Sequence, residues 1–279
     1  MQRPIPVLMY HHVSPKPGLV TVSPENFRAH MAWLAEYGWR SLTAAEFAAC
    51  LAGAPVPKRA VLITFDDGYL DNWVYAHPVL AEFGLHAVLF LITGWIGEGE
   101  VRAHAGQGQP VPDVPDHKGA MAAGRAWQDA ADPVPLDGAF LRWSEVHAMR
   151  DAGTFEFHSH THSHTRWDKT IADQDARDRA LSDDLAASRA TLAAKLGNGS
   201  AHLCWPQGYY DAAYQRVAQA AGFRHLYTTE AGVAREDTDP ARIPRIVVKD
   251  KPAGWFASRL RLYGNPLTAA LYLGLKGRK

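Results

Sequence analysis

AVLITFDDGY, Ala60 to Tyr69, is the stretch that decides the fold. Ala60 to Phe65 are apolar or β-branched without alternation, which reads as a strand buried on both faces, the kind found in helix-covered parallel sheets. Asp66 and Asp67 end it, and adjacent carboxylates at the end of an apolar strand are costly unless a cation or hydrogen-bond donors meet them. A turn at Gly68 can aim both at one cleft, one to bind a metal and one to receive a proton. The competing reading is an Asp-Asp-Gly turn that caps the following helix, LDNWVYAHPVLAEFG (70–84), because Asp favours caps.

Working outward, seven further β-like runs alternate with helical patterns: IPVLMYH (5–11), WRSLT (39–43), HAVLFLIT (86–93), TFEFHS (154–159), AHLCW (201–205), RHLYTT (224–229) and RIVV (245–248). Alternation of this kind specifies parallel strands with crossover helices. Ser23, Pro24 and Gly38 bound one helix, Thr43 and Glu46 form a capping box for the next, and 177–196 is a long helix stopped by Gly197. The expectation is an α/β fold, a distorted (β/α)7-8 barrel over residues 1–254, with catalytic residues at the C-terminal strand ends. A Gly- and Pro-rich stretch, about 97–140, breaks the alternation and is expected to be a long loop insertion beside the substrate cleft or on the surface.

Lys plus Arg and Asp plus Glu each total 29, so the formal net charge is zero and no global field draws nucleic acid. Cys50 and Cys204 are the only cysteines, which excludes a disulfide framework and a thiolate-built zinc site. Any metal must therefore be held by His and carboxylate. The opening MQRPIPVLMYHHVSP lacks a signal-peptide apolar run, and no stretch of about 18 apolar residues occurs, so a cytoplasmic protein is expected. Residues 255–279 mix Trp255, Phe256 and leucines with Arg259, Arg261, Lys276, Arg278 and Lys279. Such a segment can contact a membrane's inner face peripherally, or form a final helix packed on the barrel.

The second chemical signal is FEFHSHTHSH, which places His158, His160, His162 and His164 directly after another strand. If the chain turns helical after Ser159, His160 and His164 share one face at i,i+4, as two imidazoles need to bind one ion. His158 and His162 have the same spacing, so periodicity does not choose between the pairs. A His-rich surface loop is the alternative.

These residues resemble the polysaccharide deacetylase family, carbohydrate esterases of the NodB-homology type. The motif TFDDG stands unaltered at Thr64 to Gly68, and H-[S/T]-x-x-H stands as His160 to His164, which favours that pair. The opening PVLMYHHV resembles the branch acting on poly-N-acetylglucosamine and related glycans. The resemblance implies one divalent ion, commonly zinc, on Asp67, His160 and His164, with Asp66 as general base. It also implies that the backbone N–H of Gln207 receives the oxyanion. The substrate implied is an N-acetylhexosamine in a glycan or lipid-linked precursor.

The family's R-x-P-Y-G reads Cys204, Trp205, Pro206, Gln207, Gly208 here, without Arg or Tyr. Arg245 is the candidate to bring a guanidinium to the site, for the base or for substrate. Neither D-x-x-D-W nor the late L-x-H with its acid histidine is present. His11, at the end of the first strand, is the candidate proton donor. Trp205 and Tyr209 are candidates to stack on a sugar ring. These departures keep two alternatives open: a different acyl group or small amide as substrate, and a catalytically inactive carbohydrate-binding relative.

Overall fold

The computed structural model describes residues 3–131, 136–264 and 268. Its strands are β1 (Val7–Tyr10), β2 (His12–Val13), β3 (Thr21–Val22), β4 (Arg40–Ser41), β5 (Ala60–Asp67), β6 (Ala87–Leu91), β7 (Phe155–Ser159), β8 (His202–Cys204), β9 (His225–Ala231) and β10 (Ile243–Val247). Each of the eight β-like runs overlaps one of them. β1, β10, β9, β8, β7, β6 and β5 pair in that order, and β5 pairs back to β1, closing a ring of parallel strands. The short β4 joins only at the start of β5, through Ala60 and Val61. The fold is thus the expected α/β barrel, with seven strands in the ring.

Helices α1 (Pro24–Glu36), α2 (Ala44–Leu51) and α3 (His77–Phe83) lie between the early strands. The Ser23 cap and the Thr43–Glu46 capping box form as expected. α4 (His117–Asp129), α5 (Trp143–Asp151), α6 (Trp167–Thr170), α7 (Gln174–Leu196), α8 (Ala212–Ala220) and α9 (Ala253–Gly264) follow. All eight residues of β5 are buried, as a strand covered inside and outside the ring must be. α9 crosses the expected boundary at residue 255 and buries Phe256, Leu260 and Tyr263, with Phe256 stacked on His30 of α1 at 4.3 Å. The rest of the basic tail, 265–267 and 269–279, lies outside the described residues. Among the described residues, no helix is long and apolar enough to cross a membrane.

The insertion is not the loop expected from its composition, because α4 lies within it. Asp116 caps α4, accepting from the Gly119 N–H at 2.8 Å, and buried Ala120 and Gly124 face the barrel rim. Glycine is needed at 124, since a Cβ there would stand 2.4 Å from the Trp95 ring. Two isolated bridges, Tyr69 with Phe140 and Gly97 with Arg142, tie the insertion back to β5 and α5. Arg102 adds a fork onto buried Glu145 of α5, at 2.7 and 2.8 Å. Gly124→Ala is therefore expected to cost about 1–3 kcal/mol through overpacking against Trp95, read as a lower urea midpoint.

Candidate active site

Adjacent residues of a strand face opposite sides of a sheet, yet Asp66 and Asp67 line one cavity of about 340 Å³. The backbone of Asp67, in the left-handed region at φ 77°, breaks the alternation. Gly68 continues the turn at φ 84°, where a Cβ would lie 2.8 Å from Leu91. Backbone strain of this kind, about 1–3 kcal/mol per residue, persists where surrounding structure enforces it.

The histidine segment folds differently from the helix considered above. After β7 the chain turns through left-handed Thr161 (φ 66°) and His164 (φ 60°), without helix. Buried Asp184 of α7 holds this turn by accepting the His162 and Ser163 N–H groups at 3.1 and 2.8 Å. Thr161 Oγ1 accepts the His164 N–H at 3.0 Å. The result places Nε2 of His160 3.2 Å, and Nε2 of His164 3.6 Å, from Asp67 Oδ1.

One ligand atom from each of Asp67, His160 and His164 lies within 4.8 Å of the others, a set able to grip one ion. The donor set passes a chemical test: His160 Nδ1 lies 2.8 Å from the Cys204 carbonyl, which accepts its proton and leaves Nε2 as the lone pair facing Asp67. A second grouping, Asp66, His160 and Cys204, suits a metal poorly. Both Asp66 oxygens are already taken, and burial pushes the Cys204 thiol up.

Arg245 takes those oxygens. Its Nη1 and Nη2 donate to Asp66 Oδ1 and Oδ2 at 2.7 and 2.8 Å, and its Nε donates to the Thr228 carbonyl at 2.8 Å. Nη2 also lies 3.0 Å from the Cys204 sulfur. The small thiol, standing where the motif arginine is expected, leaves room for a guanidinium from β10. Burial drives the Asp66 carboxyl up, and the charge and hydrogen bonds of Arg245, with the charges of His11 and His160, more than offset it, holding it below the ordinary 3.8. Arg245 is only 1 % exposed, so its expected role in contacting substrate is corrected: it clamps Asp66 from beneath.

His11 stands where the barrel rule places it, with Nε2 3.7 Å from Asp66 Oδ2. Burial lowers its pKa, opposed in part by the charges of Asp66 and Asp67. Gln207, left-handed at φ 55°, lines the cavity. Trp205 is 1 % exposed and packed against Tyr210 and Tyr214. Trp205 nonetheless lines the cavity, so that a sugar would meet only the small part of its ring left uncovered there. Tyr209 stands outside the cavity lining with the Arg166 guanidinium 4.0 Å over its ring. His158 and His162 are engaged elsewhere, with Ser200 and Thr93, so the i,i+4 ambiguity is resolved by contacts and not by spacing.

Sequence reading missed His117 and Met121 of α4, which line the same cavity, because composition hid the helix. The signal available was Asp116 as a cap before HKGAMAAGRAWQD.

The Polysaccharide deacetylase family profile matches residues 53–226, more than half of the chain. YxkH of Bacillus subtilis (strain 168), assigned by name to the polysaccharide deacetylases, is 26% identical over 255 residues, 90% of this chain and 73% of that protein. A poly-beta-1,6-N-acetyl-D-glucosamine N-deacetylase of Staphylococcus aureus (strain MRSA252) is 24% identical over 234 residues, covering 82% and 68%. Among solved structures, the Streptococcus pyogenes deacetylase PplD in complex with acetate superposes with TM-score 0.71 at 20% identity, covering 95% of this chain and all of that one. IcaB from Ammonifex degensii gives 0.70 at 23% identity, covering 92% and 96%. The profile match spans the strand that carries both carboxylates and the turn that carries both histidines, and the chain belongs to the polysaccharide deacetylase family, hydrolases that deacetylate carbohydrate.

Proposed function

We propose that the protein is a metal-dependent N-deacetylase acting on an N-acetylhexosamine of a glycan or lipid-linked glycan precursor. The observation that carries this is the convergence of Asp67, His160 and His164 on one point beside Asp66, which Arg245 clamps outside the ligand set. A divalent ion held by the first three, zinc by its preference for imidazole and carboxylate ligands, supplies Lewis acidity for the amide carbonyl and for water.

The residues divide the remaining tasks. Asp66 accepts the proton of the attacking water, and Arg245 fixes the direction of its lone pairs. The hydroxide adds to the carbonyl carbon, and the backbone N–H of Gln207 receives the oxyanion. The C–N bond then breaks as the nitrogen takes a proton. His11, 3.7 Å from Asp66, is assigned to hand on to it the proton that Asp66 took from the water, because an amine leaves poorly as its anion.

His160→Ala is expected to lose both metal and turnover, measured by metal analysis and amine release. Chelation of the native enzyme should abolish activity, with recovery on added zinc. Metal content equal to wild type in His160→Ala overturns the ligand assignment. A panel of N-acetylated, N-formylated and O-acetylated sugars tests the acyl group, and activity confined to a non-acetyl substrate overturns the proposed one. For peripheral contact with anionic membrane, support comes from six Lys and Arg, with no Asp or Glu, in residues 251–279. Sedimentation with phosphatidylglycerol vesicles should weaken when residues 265–279 are removed.

A further inference from the structure

A buried chain of polar groups runs from the barrel rim into the catalytic cavity. Asp71, 1 % exposed, follows β5. Its Oδ2 lies 2.6 Å from His12 Nδ1, while its Oδ1 accepts from the Val13 N–H at 3.2 Å and Asn72 Nδ2 at 2.9 Å. His12, also 1 % exposed, stacks on Tyr69 at 3.6 Å, and its Nε2 lies 3.4 Å from Nδ1 of His117. His117 opens α4 and lines the cavity with His11, Asp66, Asp67, His160 and His164. None of Asp71, His12 and His117 has a task in the hydrolysis described above.

With Asp71 ionised and both imidazoles neutral, the chain sets which nitrogen carries each proton. An ionised carboxylate only accepts, so the proton between Asp71 and His12 sits on His12 Nδ1. His12 Nε2 is then a lone pair, and the proton between the rings belongs to His117 Nδ1. Nε2 of His117 is left as an acceptor on a half-buried side chain, and it has no hydrogen bond among the described residues. A carboxylate two groups away thus presets the polarity of an atom at the cavity wall, as outer partners orient the ligands of metal sites. Met121 lines the same cavity one turn further along α4. An acceptor beside an apolar thioether suits a sugar, which offers hydroxyl donors at its edge and C–H groups on its face.

We propose that His117 is a substrate-binding residue whose Nε2 accepts a hydrogen bond from a hydroxyl of the sugar being deacetylated, with His12 and Asp71 as the positioning residues that set it. This rests on the carbohydrate deacetylase reading. It assigns sugar selection to the insertion, an element outside the strand ring, while the chemistry stays on the strand ends.

The test uses the metal-loaded enzyme, the N-acetylated sugar it turns over fastest, and the monodeoxy analogues of that sugar. His117→Ala should raise KM about fivefold to tenfold, the weight of one neutral hydrogen bond, with kcat nearly unchanged. His117→Gln, which offers an amide oxygen, should recover part of the loss. Asp71→Asn keeps the shape but donates to His12 Nδ1, which reverses every proton in the chain and makes His117 Nε2 a donor. It should match His117→Ala in KM, with metal content and circular dichroism unchanged. One monodeoxy analogue should be penalised in the wild type and carry no further penalty in His117→Ala. If His117→Ala keeps the wild-type KM, or if every deoxy analogue is penalised equally in variant and wild type, the proposal is overturned. That outcome is distinct from a wild type that turns over no N-acetylated sugar, which would overturn the carbohydrate reading itself.

Discussion

Asp66→Asn is expected to lower kcat by about 10²–10⁴-fold, the usual weight of a general base, while the protein stays folded and retains its metal. The separation of roles comes from the geometry. Asp67 faces His160 and His164, whereas both Asp66 oxygens are held by Arg245. An amide at 66 removes the proton acceptor without touching the three ligand atoms. It also turns an N–H₂ toward one guanidinium nitrogen, so one of the two charge-assisted hydrogen bonds is lost as well. Amine release and metal analysis on the same preparation decide the matter. Substantial turnover in Asp66→Asn would refute the assignment of the base, and parallel loss of metal would show that Asp66 belongs to the ligand set.

Arg245→Met should produce the largest change in stability, about 3–5 kcal/mol, because it leaves Asp66 as an unpaired buried charge. It also withdraws a donor from the Thr228 carbonyl. The pH dependence of the deficit has a definite sign. In the wild type Arg245 holds the Asp66 carboxyl below its ordinary 3.8, so this group's contribution is complete above that value and is lost as pH falls through the folded pKa. In the variant the charge and hydrogen bonds of Arg245 are gone, and burial, opposed only by the smaller pull of His11 and His160, raises the carboxyl. Its contribution is then present in acid and lost as pH rises through the raised value. The stability gap between the two proteins should therefore widen from about pH 3 towards neutrality. Urea midpoints at a series of pH values check this, and a gap independent of pH would mean that Arg245 acts by packing alone. Turnover should fall too, since the base loses its orientation.

The strand runs, the long helix after the histidines and the caps at Ser23 and Thr43 were legible because they depend on local patterns: runs of buried β-formers, helical periodicity and capping residues. Asp66, Asp67 and the histidine cluster were legible for another reason, although only the motif resemblance favoured His160 and His164 over His158 and His162. Carboxylates and imidazoles at the ends of apolar strands need a chemical justification, and few exist. The helix within the insertion was not legible from composition, because its glycines and alanines look like loop until Trp95 is placed opposite Gly124. Trp205 shows the converse, an aromatic at the cavity that is almost wholly buried beside Tyr210 and Tyr214, neighbours that sequence does not reveal.

Sequence by itself determined that this is a parallel α/β barrel with two carboxylates and a histidine pair at strand ends, since buried strands, caps and unexplained charges are properties of short segments. Tertiary structure decided how those groups are used. The left-handed turns at Asp67 and His164, the reach of Arg245 from β10 into the space left by Cys204, and the path from Asp71 through His12 to His117 each join residues far apart in the chain. Such contacts depend on ring closure and helix packing, which bring distant side chains within hydrogen-bond distance, and no local pattern encodes a distance between strands.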